Sequence, residues 1–288
     1  LFRSCIWYCS AVVSFLLFLL LLGWTNHLAN TQDAQQMAGR WSEKKDVAQI
    51  SCFFSSKAEV TEDTIQSFEY SLKNVLQEAS ITETSENPSA RLWVDAYSAD
   101  GKITLVNGKN TLDANAIGIG GDFFMFHPLK LITGAYFSGN DLMQDYCIID
   151  QDAAWQLFGS NDVVGMTVYI GNVPHIVTGV VQRPDSRMDK AAGLNSTVVY
   201  VSYETLSAYG TNNGINHYEI VMPNPVDEFA YGKVKEGIGI DEKNVEIVEN
   251  SRRYSLPNRI KTILAFGTRS MNGKAIIYPY WEIGRAHV

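Results

Sequence analysis

The chain has 288 residues, 46% of them hydrophobic and 19% charged, enough for one large domain or two modest ones with a proper core. Lys and Arg number 23 against 31 Asp and Glu, a formal charge of -8, so no basic stripe is available to displace counterions from phosphates, and a nucleic-acid partner is not expected. The four cysteines make no disulfide framework: Cys5 and Cys9 lie in or beside an apolar N-terminal run, while Cys52 and Cys147 fall in separate strand candidates, where a bridge or two separately buried thiols would both fit.

The first residue is Leu1 rather than Met, so further residues are expected upstream. From Ile6 to Trp24 nineteen residues carry no charge, and only Ser10, Ser14 and Gly23 interrupt the apolar run. At about 1.5 Å per residue this segment spans roughly 28 Å, close to the apolar thickness of a bilayer. Trp7, Tyr8 and Trp24 stand near its ends, where interfacial aromatics belong. A signal peptide would have a shorter apolar region and a small-x-small cleavage site, which Thr25-Asn26-His27 does not supply. A buried core helix is rarely so uniformly leucine-rich. Residues 1–24 therefore read as a membrane span. Arg3 is the charge on its left flank, and the positive-inside rule puts the N-terminus in the cytoplasm and everything after Trp24 outside.

Thr25–Val47 is polar with scattered Leu28, Met37 and Trp41; a helical stalk and a flexible tether both fit its composition. Ile50–Phe54, β-branched and aromatic, is the first strand of a folded domain taken as 48–282. Thr61 is placed to cap a helix whose first turn holds Glu62 and Asp63, and Ile65, Phe68, Leu72, Val75 or Leu76, and Ala79 recur at helical spacing. Asn87-Pro88 breaks that pattern. Leu92–Tyr97 alternates as a strand, and the dipeptides Asp100-Gly101 and Asn107-Gly108 around Lys102–Val106 predict a small hairpin. Ala116–Phe126, AIGIGGDFFMF, has glycines at 118, 120 and 121, which is not G-x-G-x-x-G; it reads as a glycine-rich turn delivering Phe123, Phe124 and Phe126 into a core. His127-Pro128 follows with no second histidine or acid pair at ligand spacing, so no metal is assigned.

Tyr146–Pro184 carries the clearest pattern. Cys147–Ile149 is an apolar strand, and Asp150 or Asp152 caps a helix starting at Ala153. Ala154, Leu157 and Phe158 share one face of it, and Gly159 stands just past its end. After Gly165, strands Thr167–Ile170 and Val173–Val181 flank the turn Gly171-Asn172, and Pro184 stops the second strand. Asp185–Asn195 is a polar loop, and Asn195-Ser196-Thr197 matches a glycosylation sequon, which has meaning only where such glycans are made. Thr197–Val201, Ile215–Met222 and Val245–Val248 read as strands; Tyr203–Tyr209, Val226–Lys235 and Leu256–Phe266 read as helices. Gly267–Ala275, GTRSMNGKA, has five residues between its glycines and Ala275 where Ser or Thr must hold magnesium, so it is not a P-loop. Ile283–Val288, IGRAHV, looks like translated adapter sequence and is set aside. There is no H-E-x-x-H, G-x-S-x-G, C-x-x-C or EF-hand loop, and no sequence argument pairs two acids. No catalytic residue and no cofactor is expected.

The segment Tyr146–Pro184 resembles the periplasmic core domain of MacB-type ABC transporter permeases, the FtsX-like permease family. There an "(I/V)D…A…LFG" helix precedes "(I/V)G…(V/I)…I…G…(V/I)VG(V/I)V", met here by Ile149-Asp150, Ala153, Leu157-Phe158-Gly159, Val164-Gly165, Val168, Ile170, Gly171, Val177, Gly179, Val180 and Val181. Thr178 beside Gly179 departs from the pattern. Gly267–Glu282 resembles the end of the same domain, just ahead of a second membrane helix. The resemblance implies an α+β outer domain of two lobes, a proximal one from 48–112 and 196–251 and an inserted one from 113–195. It also implies a permease subunit in the cell membrane, working with an ABC ATPase subunit, a second permease copy and membrane lipid. ATP hydrolysis would belong to a separate or upstream domain, and the outer domain would carry that work to export or mechanical transmission. A membrane-anchored sensor with an outer ligand-binding domain is the alternative.

Overall fold

The computed structural model describes residues 2–30, 33–42, 46–82, 91–183, 196–253, 255, 257 and 258. Pro184, the 185–195 loop and its sequon asparagine, and the segments from 259 onward lie outside the described residues, as does the Asn87-Pro88 break. The apolar run forms helix α1 (Phe2–Asn30), which continues past Trp24. Its stretch Trp7–His27 is long and apolar enough to cross a membrane, and none of it is buried.

The polar segment after α1 is not a stalk or tether throughout. A single 3-10 turn (Asp33–Gln35) and helix α2 (Met37–Trp41) pack on the folded body, with Gln35, Met37 and Ala38 buried. Five residues are too few for helical periodicity to announce a buried face. Strand β1 (Val47–Phe54) follows, and then α3 (Glu62–Glu78). Thr61 caps α3 as expected: its carbonyl accepts the Thr64 N–H, and Thr64 Oγ1 accepts the Thr61 N–H at 3.4 Å. Ile65, Phe68, Leu72 and Leu76, one face at spacings of three and four, are buried on the sheet.

β2 (Val94–Asn107) and β3 (Asn110–Gly121) form a long antiparallel ribbon in register from Ala96↔Gly121 to Asn107↔Asn110. The expected turn at Asp100-Gly101 is therefore absent, and only the one beside Gly108 (φ +60°) exists. Gly101 serves close approach instead, since a Cβ there would stand 2.3 Å from the Thr211 carbonyl oxygen and 2.9 Å from Leu206 Cδ1. The glycines at 118, 120 and 121 likewise belong to the end of β3 rather than to a loop. They lead into α4 (Phe123–Phe126), whose phenylalanines at 123, 124 and 126 are buried as the sequence suggested.

Next come β4 (Leu131–Gly134), β5 (Tyr146–Asp150), α5 (Gln151–Phe158), β6 (Thr167–Ile170) and β7 (Val173–Val181). They are followed by β8 (Val198–Ser202), α6 (Tyr203–Tyr209), β9 (Thr211–Asn212) and β10 (His217–Pro223), then α7 (Phe229–Gly237), β11 (Val245–Glu249) and α8 (Asn250–Arg253). The class is α+β. The sheet runs β11-β1-β10-β2-β3-β8-β5-β7-β4. β6 pairs with both β7 and the far end of β2, so β2, β3, β8, β5, β7 and β6 make a closed circuit. Closure leaves no free edge there. Leu105, Ile149, Val168, Ile170, Val177 and Val199 fill the circuit's apolar side, joined by Leu157 of α5 and Leu206 of α6. β8 lies between β3 and β5, so the expected lobe boundary at 196 cuts through this circuit. Its parallel pairing with β3 joins segments far apart in the chain and leaves no local trace.

The other half, β11-β1-β10-β2, is covered on both faces. Ile50, Cys52, Phe54, Tyr218, Ile220 and Met222 meet α3 and α7, and Val221, Val94, Met37 and Phe123 belong to a second cluster on the opposite side. Cys52 and Cys147 are separate, buried, free thiols; burial pushes the Cys147 thiol up to about 12.

Replacing Gly by Ala in a strand usually gains roughly 0.5–1 kcal/mol. Here Gly101→Ala is expected to do the opposite, costing about 1–3 kcal/mol by overpacking against β9. Chemical denaturation of the purified chain measures the sign.

Candidate functional site

The expected motif residues prove to be structural fasteners. Asp150 is buried at the end of β5; its Oδ1 accepts the Ala153 N–H at 2.8 Å and caps α5, which starts at Gln151 rather than Ala153. Its Oδ2 accepts from Arg183 at 2.6 and 3.0 Å and from the Val198 N–H at 3.2 Å, tying α5, β7 and β8 together. Leu157 is buried and Phe158 half-buried, and the Leu157 carbonyl accepts from Asn107 and Asn110 at the tip of the β2–β3 ribbon. Gly159 (φ +74°) ends α5 in the left-handed region. Gly165 also has a positive φ, and Gly179 is held beside Leu131 and Ala135. Of the membrane residues, Ile6 lies on α1 and Trp24 is exposed there.

The side chains that converge chemically are others. β1 and β10 pair Ser51↔Glu219 and Phe53↔His217, so Gln49, Ser51, Phe53, His217 and Glu219 share one face by the two-residue alternation of strands. α2, α4 and α8 cover that face. Glu219 has no exposed surface, and His127 and His217 are almost as deep. His127 Nε2 stands 2.6 Å from Glu219 Oε2, and His217 Nε2 stands 3.9 Å from Oε1. Ser51 Oγ donates to Oε1 at 2.7 Å, and Gln49 Nε2 approaches it at 3.4 Å. Phe53 stacks on His217 with centroids 4.9 Å apart, and Phe123 lies 4.6 Å from the His127 ring.

Burial alone would raise the Glu219 pKa, but His127 and His217, with hydrogen bonds from His127 and Ser51, outweigh it and hold the carboxyl at about 2. Burial lowers His217 to about 4, only partly offset by Glu219. Nothing local in the sequence announces this group, because His127 and His217 are ninety positions apart and the H-Y-E-I alternation of β10 reads as a strand with one wet face.

The same face receives the segment that follows α1 and the segment that follows β11. Gln49 Oε1 accepts the Met37 N–H at 2.8 Å, and its Nε2 donates to the Ala34 carbonyl at 2.6 Å. Ser51 Oγ accepts from Asn250 Nδ2 at 2.8 Å, and the Gln49 N–H donates to Ser251 Oγ at 2.9 Å. Arg40 adds donation to the carbonyls of Asp33 at 2.7 Å and Met125 at 2.6 Å. Gln49 and Ser51 of β1 thus hold both the segment that follows α1 and the start of α8.

A second polar group lies on the α3 side, where two acids meet that the sequence could not pair. Burial and the neighbouring Asp95 push the Glu69 carboxyl up to about 8, and burial raises Asp95 as well. Tyr218 donates to Asp95 Oδ2 at 3.0 Å. Asp95, Arg91, Trp93 and Lys73 line an open cleft of about 550 Å³. Arg91 is paired with Asp122 across the mouth of this recess.

The sequence profile described as "MacB-like periplasmic core domain" matches residues 14–247. A "Macrolide export ATP-binding/permease protein MacB" of Chromobacterium violaceum is 32% identical over 99 residues, 34% of this chain and 15% of its own length. One of the same description from Pasteurella multocida is 30% identical over 98 residues, 33% of this chain and 14% of its own. The chain thus matches about a seventh of the length of these curated relatives. Among solved structures, the periplasmic region of MacB from Actinobacillus actinomycetemcomitans aligns with a TM-score of 0.45 at 19% identity, covering 75% of this chain and 92% of that one. The extracellular domain of the noncanonical ABC-type transporter YknZ from Gram-positive bacteria aligns at 0.43, also at 19% identity, covering 69% and 99%.

Two outcomes are expected. An acid whose folded pKa is raised contributes stability that is present below its unfolded value, about 4.3, and lost as pH rises to the folded value. Glu69 should therefore lower stability as pH climbs from about 4.3 to 8, and Glu69→Gln should flatten that part of a thermal-unfolding pH profile. Asp150→Ala removes a cap and one of the two carboxylates that Arg183 pairs with, Asp152 remaining, which should cost about 2–3 kcal/mol in denaturant unfolding.

Proposed function

The chain belongs to the MacB-like periplasmic core domain family, and from that premise we propose that it is the outer part of an ABC-transporter permease subunit that transmits mechanical work across the membrane. α1 spans the bilayer with its N-terminus in the cytoplasm, and the α+β body lies outside. An ABC ATPase subunit supplies the energy, and a second permease copy completes the unit. The body itself does not hydrolyse ATP; its task is to move, and so to export cargo or actuate a partner outside.

The observation that carries this reading is the fastening at Gln49 and Ser51. A body that relays motion needs its membrane connections held firmly to a stiff element. Both connections here are bonded to the same strand, within three residues of one another. Buried hydrogen bonds of this kind are short and directional, and leaving their partners unsatisfied costs roughly 1–3 kcal/mol each, so the joint does not slip under modest load. The acidic body is consistent with a partner other than nucleic acid.

Purification of the full-length protein from membranes should recover an ABC ATPase and a second permease copy. A single cysteine in place of exposed Tyr70 should react with a membrane-impermeant thiol reagent in intact cells or spheroplasts. Recovery free of any ATPase, or labelling only after lysis, would overturn the assignment.

A further inference from the structure

We propose that His127, His217 and Glu219 form a structural binding site for one divalent cation of the zinc class. This does not depend on the transporter reading. Each residue offers one donor atom, and the three donors lie within 4.8 Å of one another in a fully buried setting. Two imidazoles and one carboxylate are a mixed nitrogen and oxygen set that suits zinc, and the all-oxygen shell preferred by calcium or magnesium is not present. Donors around a tetrahedral zinc at 2.0–2.1 Å stand about 3.3 Å apart. At present the two imidazoles approach different oxygens of Glu219, His127 Nε2 at 2.6 Å from Oε2 and His217 Nε2 at 3.9 Å from Oε1, and loading would turn one of those oxygens toward both.

Two independent observations point to an occupant. His217 Nε2 is buried and aimed at the carboxylate, yet it has no hydrogen-bond partner among the described residues. Such an orphan is rare in folded proteins and calls for an explanation. The surroundings are also built as an outer shell. Ser51 and Gln49 orient the Glu219 oxygen, Asn250 orients Ser51, and the phenyl rings of Phe53 and Phe123 flank the two imidazoles. Hydrogen-bonded ligand supports inside an apolar wall are what metal sites use to fix geometry. Three protein donors leave a coordination position open, but burial keeps substrate away from it, so the ion would hold the fold rather than catalyse. It would pin the turn after α4 to β10 at the joint that fastens the membrane connections. On loading, the neutral imidazoles and the carboxylate bind the ion, and any proton shared between His127 and Glu219 is released to solvent.

The test uses the full chain in detergent, purified without a histidine tag, stripped with chelator and titrated with cobalt(II) and with zinc. One cobalt per chain should bind with a Kd of about 1 µM or tighter, giving a tetrahedral d–d absorption band that zinc abolishes. Zinc should also raise the unfolding temperature. His217→Gln and Glu219→Gln should weaken binding by at least about 100-fold, and Ser51→Ala by about 10–100-fold. His27→Asn with His287→Asn should leave it unchanged. Because the ligand variants could misfold, the imidazole nitrogen resonances of the wild type are followed as well; those of His127 and His217 should move in step with zinc. Absence of the band, binding that survives His217→Gln, or unmoved imidazole resonances would overturn the site and leave a proton-mediated His127–Glu219 ion pair.

Discussion

A carboxylate that never touches water governs the half of the body built from β11, β1, β10 and the foot of β2. Glu219 sits in the middle of β10, a strand covered on both faces. Leaving such a charge uncompensated would cost several kcal/mol, so every neighbour is constrained by it. Ser51 and Gln49 must point inward from β1, His217 must follow at the next same-face position of β10, and α4 must end where His127 can reach back. The short helices covering this face are shaped by that demand more than by their own propensity, since four or five residues form no stable helix alone.

The segments that follow α1 and β11 inherit this order. Gln49 is bonded at once to the segment behind α1 and, weakly, to Glu219, while Ser51 links Glu219 to Asn250. The segment ahead of β1, the start of α8 and the buried charge therefore share one hydrogen-bonded network, and such networks stiffen cooperatively. Asp150 plays a comparable part in the closed circuit, where a single side chain serves a helix cap, an arginine and a strand amide.

How much of this could be read in advance depended on whether the signal was local. α3 was legible because Ile65, Phe68, Leu72 and Leu76 repeat on one face, and α5 because Asp150 and Gly159 bracket it with the residues that caps require. Gly101 misled, because glycine there answers to a neighbouring carbonyl and not to a turn. Gln49, Ser51 and Glu219 carry no local signal of their burial: polar residues alternating with apolar ones fit a solvated face, and only packing by α2, α4 and α8 covers them. The circuit was invisible because β3 meets β8, and β2 meets β6, through contacts distant in the chain. Cys52 and Cys147, for which a bridge and separate thiols both fit the sequence, are separate because β10, β2, β3 and β8 lie between their strands in the sheet.

The β2–β3 ribbon runs without interruption from the doubly covered sheet, where β10 lies alongside it, into the circuit, where β6 meets its far end. Fourteen residues of extended chain in β2 amount to roughly 45 Å. Paired along nearly its whole length, with β10 against its foot and β6 against its tip, the ribbon is the one continuous strut common to both halves of the body.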